Sequence, residues 1–225
     1  MMDLSPLVIS IKTASLATAV TFFLGLAAAR WVMTIKHWRG LIDGVFTLPM
    51  VLPPTVVGFF LLILCGKNGP LGQFLLQFDL SIVFSWPATV IASTVVAFPM
   101  MYRTTLGAFE QIDENLLYAG RTLGMTEWRI FWRILLPAAW PGVAAGTILA
   151  FARALGEFGA TIMLAGNIPG RTQTMATAIY SAVQAGDRTL AFRWAVIIMV
   201  ISFGVIMLMN HWAALQRRQR LEGKG

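Results

Sequence analysis

Two stretches of the chain hold residue types able to do chemistry at membrane depth. In Leu48-Pro49-Met50-Val51-Leu52-Pro53-Pro54-Thr55, three prolines remove backbone donors and set their rings against preceding carbonyls, so a helix there must break or kink. Freed backbone groups are tolerated in a membrane where they line a cavity or find partners on neighbouring helices, and broken helices in transporters border the solute. Thr55 adds a hydroxyl at that place. Two readings stand: Pro53, Pro54 and Thr55 line a pathway, or they form a packing kink. In the second stretch, Arg153 and Glu157 stand at i and i+4, share a helix face and can pair. Charges at such depth are costly and mark pathways or buried networks, whereas Gly156 and Gly159 are able to end the helix and leave the pair in the interface. Structural ion pair, cap and solute contact all remain open for it.

Catalytic patterns are missing from the sequence. There is no G-x-x-x-x-G-K-[ST] phosphate loop, no H-E-x-x-H and no G-x-S-x-G. Cys65, the single cysteine, lacks an internal disulfide partner, and His37 and His211 are far apart, so neither a metal site nor a bound cofactor is expected. The chain reads as carrying no catalytic machinery, and so not as an enzyme.

The elements that must position these residues are membrane helices. With 57% hydrophobic and 12% charged residues, the composition is too apolar for a soluble domain. Runs long enough to cross a hydrocarbon core occur at Leu7 to Met33, Leu41 to Cys65, Ile82 to Met101, Pro137 to Leu155 and Leu190 to Trp212. The expected fold is therefore an all-α integral membrane protein with five transmembrane helices in one domain, residues 1–225. In the first run the basic residues follow the apolar stretch, which is also too long for a signal core, so it reads as a retained helix. Alternate loops collect Arg30, Lys36, Arg39, Arg103, Arg121, Arg129, Arg133, Arg217, Arg218, Arg220 and Lys224 on one side, against Lys12, Lys67, Arg171, Arg188 and Arg193 on the other. The positive-inside rule then predicts an outside N-terminus and a cytoplasmic C-terminus. The net charge of +7 follows from the same rule, and Gln216 to Arg220 reads as a tail facing lipid headgroups. Nucleic acid is not an expected partner, because no basic patch with interleaved aromatics sits on a soluble domain.

Small residues recur at every fourth position in two runs, as Thr13, Ala17, Thr21, Gly25, Ala29 and as Ala138, Gly142, Gly146, Ala150, Ala154, a pattern that lets helices pack closely in lipid or slide on one another. Gly166 to Thr174 is rich in turn formers and reads as an external loop, followed by Met175 to Val183, too short to cross and so re-entrant or buried.

Residues 113–136 break the apolar pattern. Asp113 is placed to N-cap a helix from Glu114, with Leu116, Gly120 and Leu123 on one face, and Gly124 is its natural stop. A second helix starts at Thr126, with Trp128, Phe131, Trp132 and Leu135 as its stripe, and Pro137 then opens the fourth span at a position where proline is tolerated. The result is a helix, a glycine turn and a helix lying across the cytoplasmic surface, a rigid bracket on a protein with no nucleotide site of its own.

That bracket resembles the E-A-A, three residues, G, nine residues, I-x-L-P motif of binding-protein-dependent ABC importer permeases, with Gly124, Ile134, Leu136 and Pro137 in register and Tyr118-Ala119-Gly120 standing where Glu-Ala-Ala is usual. "LPMVLPPTVVGFFLL" from Leu48, "AGRTLG" from Ala119, "ARALGEFGATIM" from Ala152 and "GNIPGRTQT" from Gly166 are similar to the molybdate branch of that family, with the sulfate branch as the alternative oxyanion. The resemblance implies a homodimer of permease subunits in the cytoplasmic membrane, two cytoplasmic ABC ATPase subunits below it, and an extracytoplasmic molybdate-binding protein delivering molybdate or tungstate. It makes Leu117, Tyr118, Ala119, Gly120, Leu123, Gly124, Glu127 and Pro137 the residues that couple to the ATPase, and Pro53, Pro54, Thr55, Arg153, Gly156 and Glu157 the pathway candidates. A secondary transporter driven by an ion gradient is the competing class, for which Arg153 with Glu157 would have to hold the coupling ion.

Overall fold

The computed structural model describes residues 3–35 and 37–222, and among them the chain is helical with no strand. Lys36 and Lys224 lie outside the described residues, as do the side chains of Gln216 to Arg220.

The helix α1 (Ser5–Thr34) starts with Pro6 in its first turn, and α5 (Trp86–Glu110) starts likewise with Pro87. Pro87, with Phe84 held at φ 59° just before it, moves the start of α5 beyond the Ile82 expected from hydropathy, and its far end runs on past Met101 to Glu110. Two further long elements are α8 (Leu136–Leu155) and α11 (Arg188–Glu222). Three helical rods, Ser5–Thr34, Glu127–Leu155 and Arg188–Leu208, are long and apolar enough to cross a membrane. A fourth crossing is counted if the bent pair α2 (Arg39–Val51) and α3 (Pro54–Cys65) is one span.

The helix α5 is the axis of the fold. The α1 stripe packs on one side of it: Thr13, Ala17, Thr21, Gly25 and Ala29 are all buried, and a Cβ on Gly25 would come within 2.7 Å of Met101 Cγ and 3.2 Å of the Tyr102 backbone. The α8 stripe packs on another side, where a Cβ on Gly142 would meet Ala108 Cβ at 2.4 Å and one on Gly146 would meet Thr104 Cβ at 3.1 Å. Thus the small residues serve helix packing, the dominant association force where water exclusion is absent. Polar groups knit α1 to α5: Thr13 and Thr89 hydroxyls are 2.9 Å apart, and Trp86 Nε1 donates to Thr13 at 3.1 Å. Such bonds contribute about 0.6 kcal/mol each in a bilayer.

A third face of α5, Ala88, Ala92 and Val96, packs with Val57 of α3 and with Ala160 and Leu164 of α9 (Gly159–Leu164) as a second buried cluster. The short α4 (Pro70–Leu76) follows α3, and α10 (Met175–Gln184) leads into α11. On α11, Trp194 is buried, whereas Phe192, Met199, Val200, Phe203 and Leu208 are exposed, an apolar face suited to lipid.

Candidate functional site

Between α5 and α8 the chain folds α6 (Glu114–Thr122) and α7 (Glu127–Ile130). Asp113 caps α6 by accepting from Asn115 N at 2.9 Å, and Thr126 caps α7 more loosely by accepting from Arg129 N at 3.4 Å. The elbow between them closes with Gly124 at φ 74° and Met125 N donating to Gly120 O at 3.1 Å. L-residues adopt that left-handed conformation at a cost, and glycine without one.

Two sequence expectations need correction here. The inward face of α6 is Leu117 and Gly120, not Leu116, Gly120 and Leu123: Leu116 is 52% and Leu123 80% exposed, whereas Gly120 is buried so closely that a Cβ would lie 2.9 Å from Ile134 Cδ1 and 3.2 Å from Ile130 Cγ1. A nine-residue helix lying on a surface buries only the strip beneath it, and its other apolar side chains stay outside. Nor does Pro137 open a new helix. The segment Phe131–Leu135 is a π-helical turn in which Leu136 N donates to Phe131 O, and it joins α7 to α8 as one rod of 29 residues, Glu127–Leu155. A proline inside an α-helix lacks a donor and clashes with the carbonyl four residues back; the wider turn removes that conflict at Arg133. So only the first half of the bracket is a separate piece.

Charged pairs fasten this end of the molecule. Glu127 accepts from Arg121 Nε at 2.7 Å and from Arg30 Nη2 of α1 at 3.1 Å, bridging α6, α7 and α1. Asp43 of α2 accepts from Arg103 Nη1 at 3.0 Å and 3.1 Å and from the Tyr102 hydroxyl at 2.9 Å, and Arg39 pairs with Glu110. The hydrogen bond to Glu127 raises the already high pKa of Arg121, keeping it charged. Exposed pairs of this kind contribute less than about 1 kcal/mol each, so they fix orientation more than stability.

The broken helix and the Arg153 segment meet. The helix α2 ends at Val51, Pro53 is extended at φ −54° and ψ 135°, and α3 leaves at 111° to α2. Its first turn lies against α9: a Cβ on Gly159 would be 3.0 Å from both Pro54 Cβ and Thr55 N, and a Cβ on Gly58 would be 2.6 Å from Ala160 Cα. That approach leaves no room for a Cβ at Gly58 and little at Gly159. Pro53, Thr55 and Gly156 are exposed and Pro54 is partly buried. Gly156 caps α8. Glu157, with a side chain only 1% exposed, accepts from Arg153 Nη1 at 2.7 Å with one oxygen and from Ala160 N at 2.7 Å with the other. It thus pairs with Arg153 and also accepts a first-turn N–H of α9. On the same helix α9, the hydroxyl of Thr161 is buried without a partner among the described residues.

The chain matches the model of the binding-protein-dependent transport system inner membrane component family over residues 21–220. The molybdenum transport system permease protein ModB of Haemophilus influenzae is 44% identical over 199 residues, 87% of this chain and 86% of that one. The sulfate transport system permease protein CysW of Synechocystis is 32% identical over 206 residues, 91% of this chain and 74% of that one. Among solved structures, the inward-facing MetNI methionine ABC transporter aligns with a TM-score of 0.73 at 14% identity, covering 93% of this chain and 94% of that one, which is a likeness of fold. With its family model matched over residues 21–220, this helical membrane chain with a capped, glycine-elbowed bracket belongs to the inner membrane components of binding-protein-dependent transport systems.

Proposed function

We propose that this protein is the permease subunit of an ATP-driven importer that carries molybdate, and with it tungstate, across the inner membrane. The observation that carries the substrate is the gap between 44% identity to a molybdenum permease and 32% to a sulfate permease over similar lengths. Two copies of the single domain form the pathway, two ATPase subunits dock beneath, and a molybdate-binding protein delivers the anion from outside.

In this reading α5 is the fifth crossing. Its 25 residues span about 37 Å, more than a hydrocarbon core of about 30 Å, and lying against α1, α8 and α9 it tolerates a polar content that a lipid-facing helix would not. The N-terminus is outside and the bracket cytoplasmic. Tyr118, Ala119, Leu123 and Glu127 are exposed to meet an ATPase, Leu117 and Gly120 seat α6 on the rod, Gly124 sets the elbow, and Pro137 sits where the rod takes up the push. The two breaks, one at Pro53-Pro54-Thr55 and one after Arg153, Gly156 and Glu157, meet where Pro54 and Thr55 lie on Gly159, and border the path where helices are interrupted. A tetrahedral dianion passing there needs hydroxyls and backbone donors and no deep site.

Reconstituting the chain with its ATPase and binding protein and measuring ATP-driven uptake of labelled molybdate tests the reading. Uptake that requires both partners and resists equimolar sulfate is expected. Free competition by sulfate would transfer the chain to the sulfate branch, and uptake without the ATPase would make it a secondary transporter.

A further inference from the structure

A cavity of about 750 Å³ opens at the end of the molecule away from the bracket, between the first turns of α1, the start of α5 and the loop 166–174. Lys12 and Arg171 line it together with Ser5, Ser85, Trp86 and Gly170, and no carboxylate does. Among the described residues neither cation has a salt-bridge partner, a state they share with Lys67, Arg129, Arg133, Arg188 and Arg193; what sets these two apart is that they line one recess. Asp3, the acid nearest Lys12 in sequence, accepts from the Ser5 hydroxyl at 2.7 Å and the Ser5 N–H at 2.9 Å and pairs with neither cation.

The walls are held in place. Trp86 is fixed through its bond to Thr13. The loop that carries Arg171 is closed by Ile168 N donating to Thr172 Oγ1 at 3.0 Å and by Arg171 N donating to Ile168 O at 3.1 Å, with Gly170 at φ 72° making its turn. Its far end is pinned to α1 by Met175 N donating to Ser10 Oγ at 2.8 Å. Two cations thus face one open recess from independent, ordered elements. Unpaired like charges converging on a low-dielectric wall focus a positive potential and concentrate anions.

We propose that this recess is an anion-receiving station, a low-affinity site at the outer mouth where a tetrahedral oxyanion dianion is held by Lys12 and Arg171 before it enters the membrane. This rests on the importer reading, which puts the recess on the outside. Two cations on an open recess of about 750 Å³ hold an anion by charge, so capture is salt-sensitive and little selective among oxyanions.

The test uses the intact complex of permease and ATPase in nanodiscs, without binding protein, and equilibrium dialysis against labelled molybdate at low ionic strength. Wild type retains label that sulfate and added salt displace, K12Q and R171Q each weaken retention about fivefold or more, the double variant abolishes it, and K12R/R171K restores it. Co-elution with the ATPase on size exclusion establishes that each variant assembles. No retention by wild type, or equal retention by the double variant, overturns the proposal. So does a double variant that keeps the anion but loses docking of the binding protein, because the cations would then serve an acidic protein surface. Wild-type uptake with binding protein and ATP is measured in parallel: if that is absent the importer reading itself fails, and if it is present only the station does.

Discussion

Replacing Gly124 separates two roles that an exposed glycine in a docking bracket can have. At φ 74°, with nothing of its own chain within 4 Å of a built Cβ, the residue costs its neighbours no space; what it supplies is backbone conformation. A side chain there adds about 1–2 kcal/mol of strain, with asparagine penalised least and a β-branched residue most. One to two kcal/mol changes the balance between the formed elbow and its alternatives by about 5- to 30-fold, enough to soften α6 against the rod without unfolding the protein. In proteoliposomes containing the whole transporter, molybdate carried per ATP hydrolysed should therefore fall in the order wild type, Gly124→Asn, Gly124→Ala, Gly124→Val. If Asn and Val are equally damaging, a partner needs the empty space above Gly124 and the conformational argument is refuted. If all three match wild type, the elbow does not transmit force.

Gly58→Ala would bring its Cβ to 2.6 Å from Ala160 Cα and 2.9 Å from Ala160 O, so thermal denaturation of the solubilised complex should show about 1–3 kcal/mol of destabilisation from overpacking; Gly107→Ala, in open space on α5, should be neutral or stabilising. Glu157→Ala removes the acceptor of the Ala160 N–H and should lower stability by about 1–3 kcal/mol, whereas Glu157→Gln keeps an acceptor and should lose less, as read by the same melting curves. In a Cys65→Ser background, a membrane-impermeant maleimide should label Pro169→Cys in intact cells and Leu123→Cys only after permeabilisation; the opposite pattern would invert the proposed orientation.

Signals that act within a few residues were readable from the sequence. Asp113, Gly124 and Thr126 cap and turn the chain where their types demand, Pro53 and Pro54 break the second apolar run, and the two stripes of small residues sit in packed interfaces. What escaped were relations between distant positions. Arg30–Glu127, Arg39–Glu110 and Arg103–Asp43 are 97, 71 and 60 residues apart, beyond any helical spacing rule. The excess of 17 Lys and Arg over 10 Asp and Glu says that cations outnumber their possible partners, but not which of them pair. The meeting of Pro54 with Gly159 depends on both helices resting on α5, and neither local pattern reveals it. Pro137 was misplaced for a different reason: proline is as well accommodated by a helix start as by a widened turn, and only the hydrogen bond from Leu136 N to Phe131 O distinguishes them.

That widened turn also acts as an angular offset. Each residue advances an α-helix by about 100°, and a π-turn spends one residue more than an α-turn to close. The azimuth of Gly142 and Gly146 relative to Glu127 is thereby set at Phe131–Leu135. Tightening the coil there, as a Pro137→Ala exchange would permit, would twist one half of the rod against the other. Either the Arg30 clasp or the glycine seam on α5 would then have to come out of alignment.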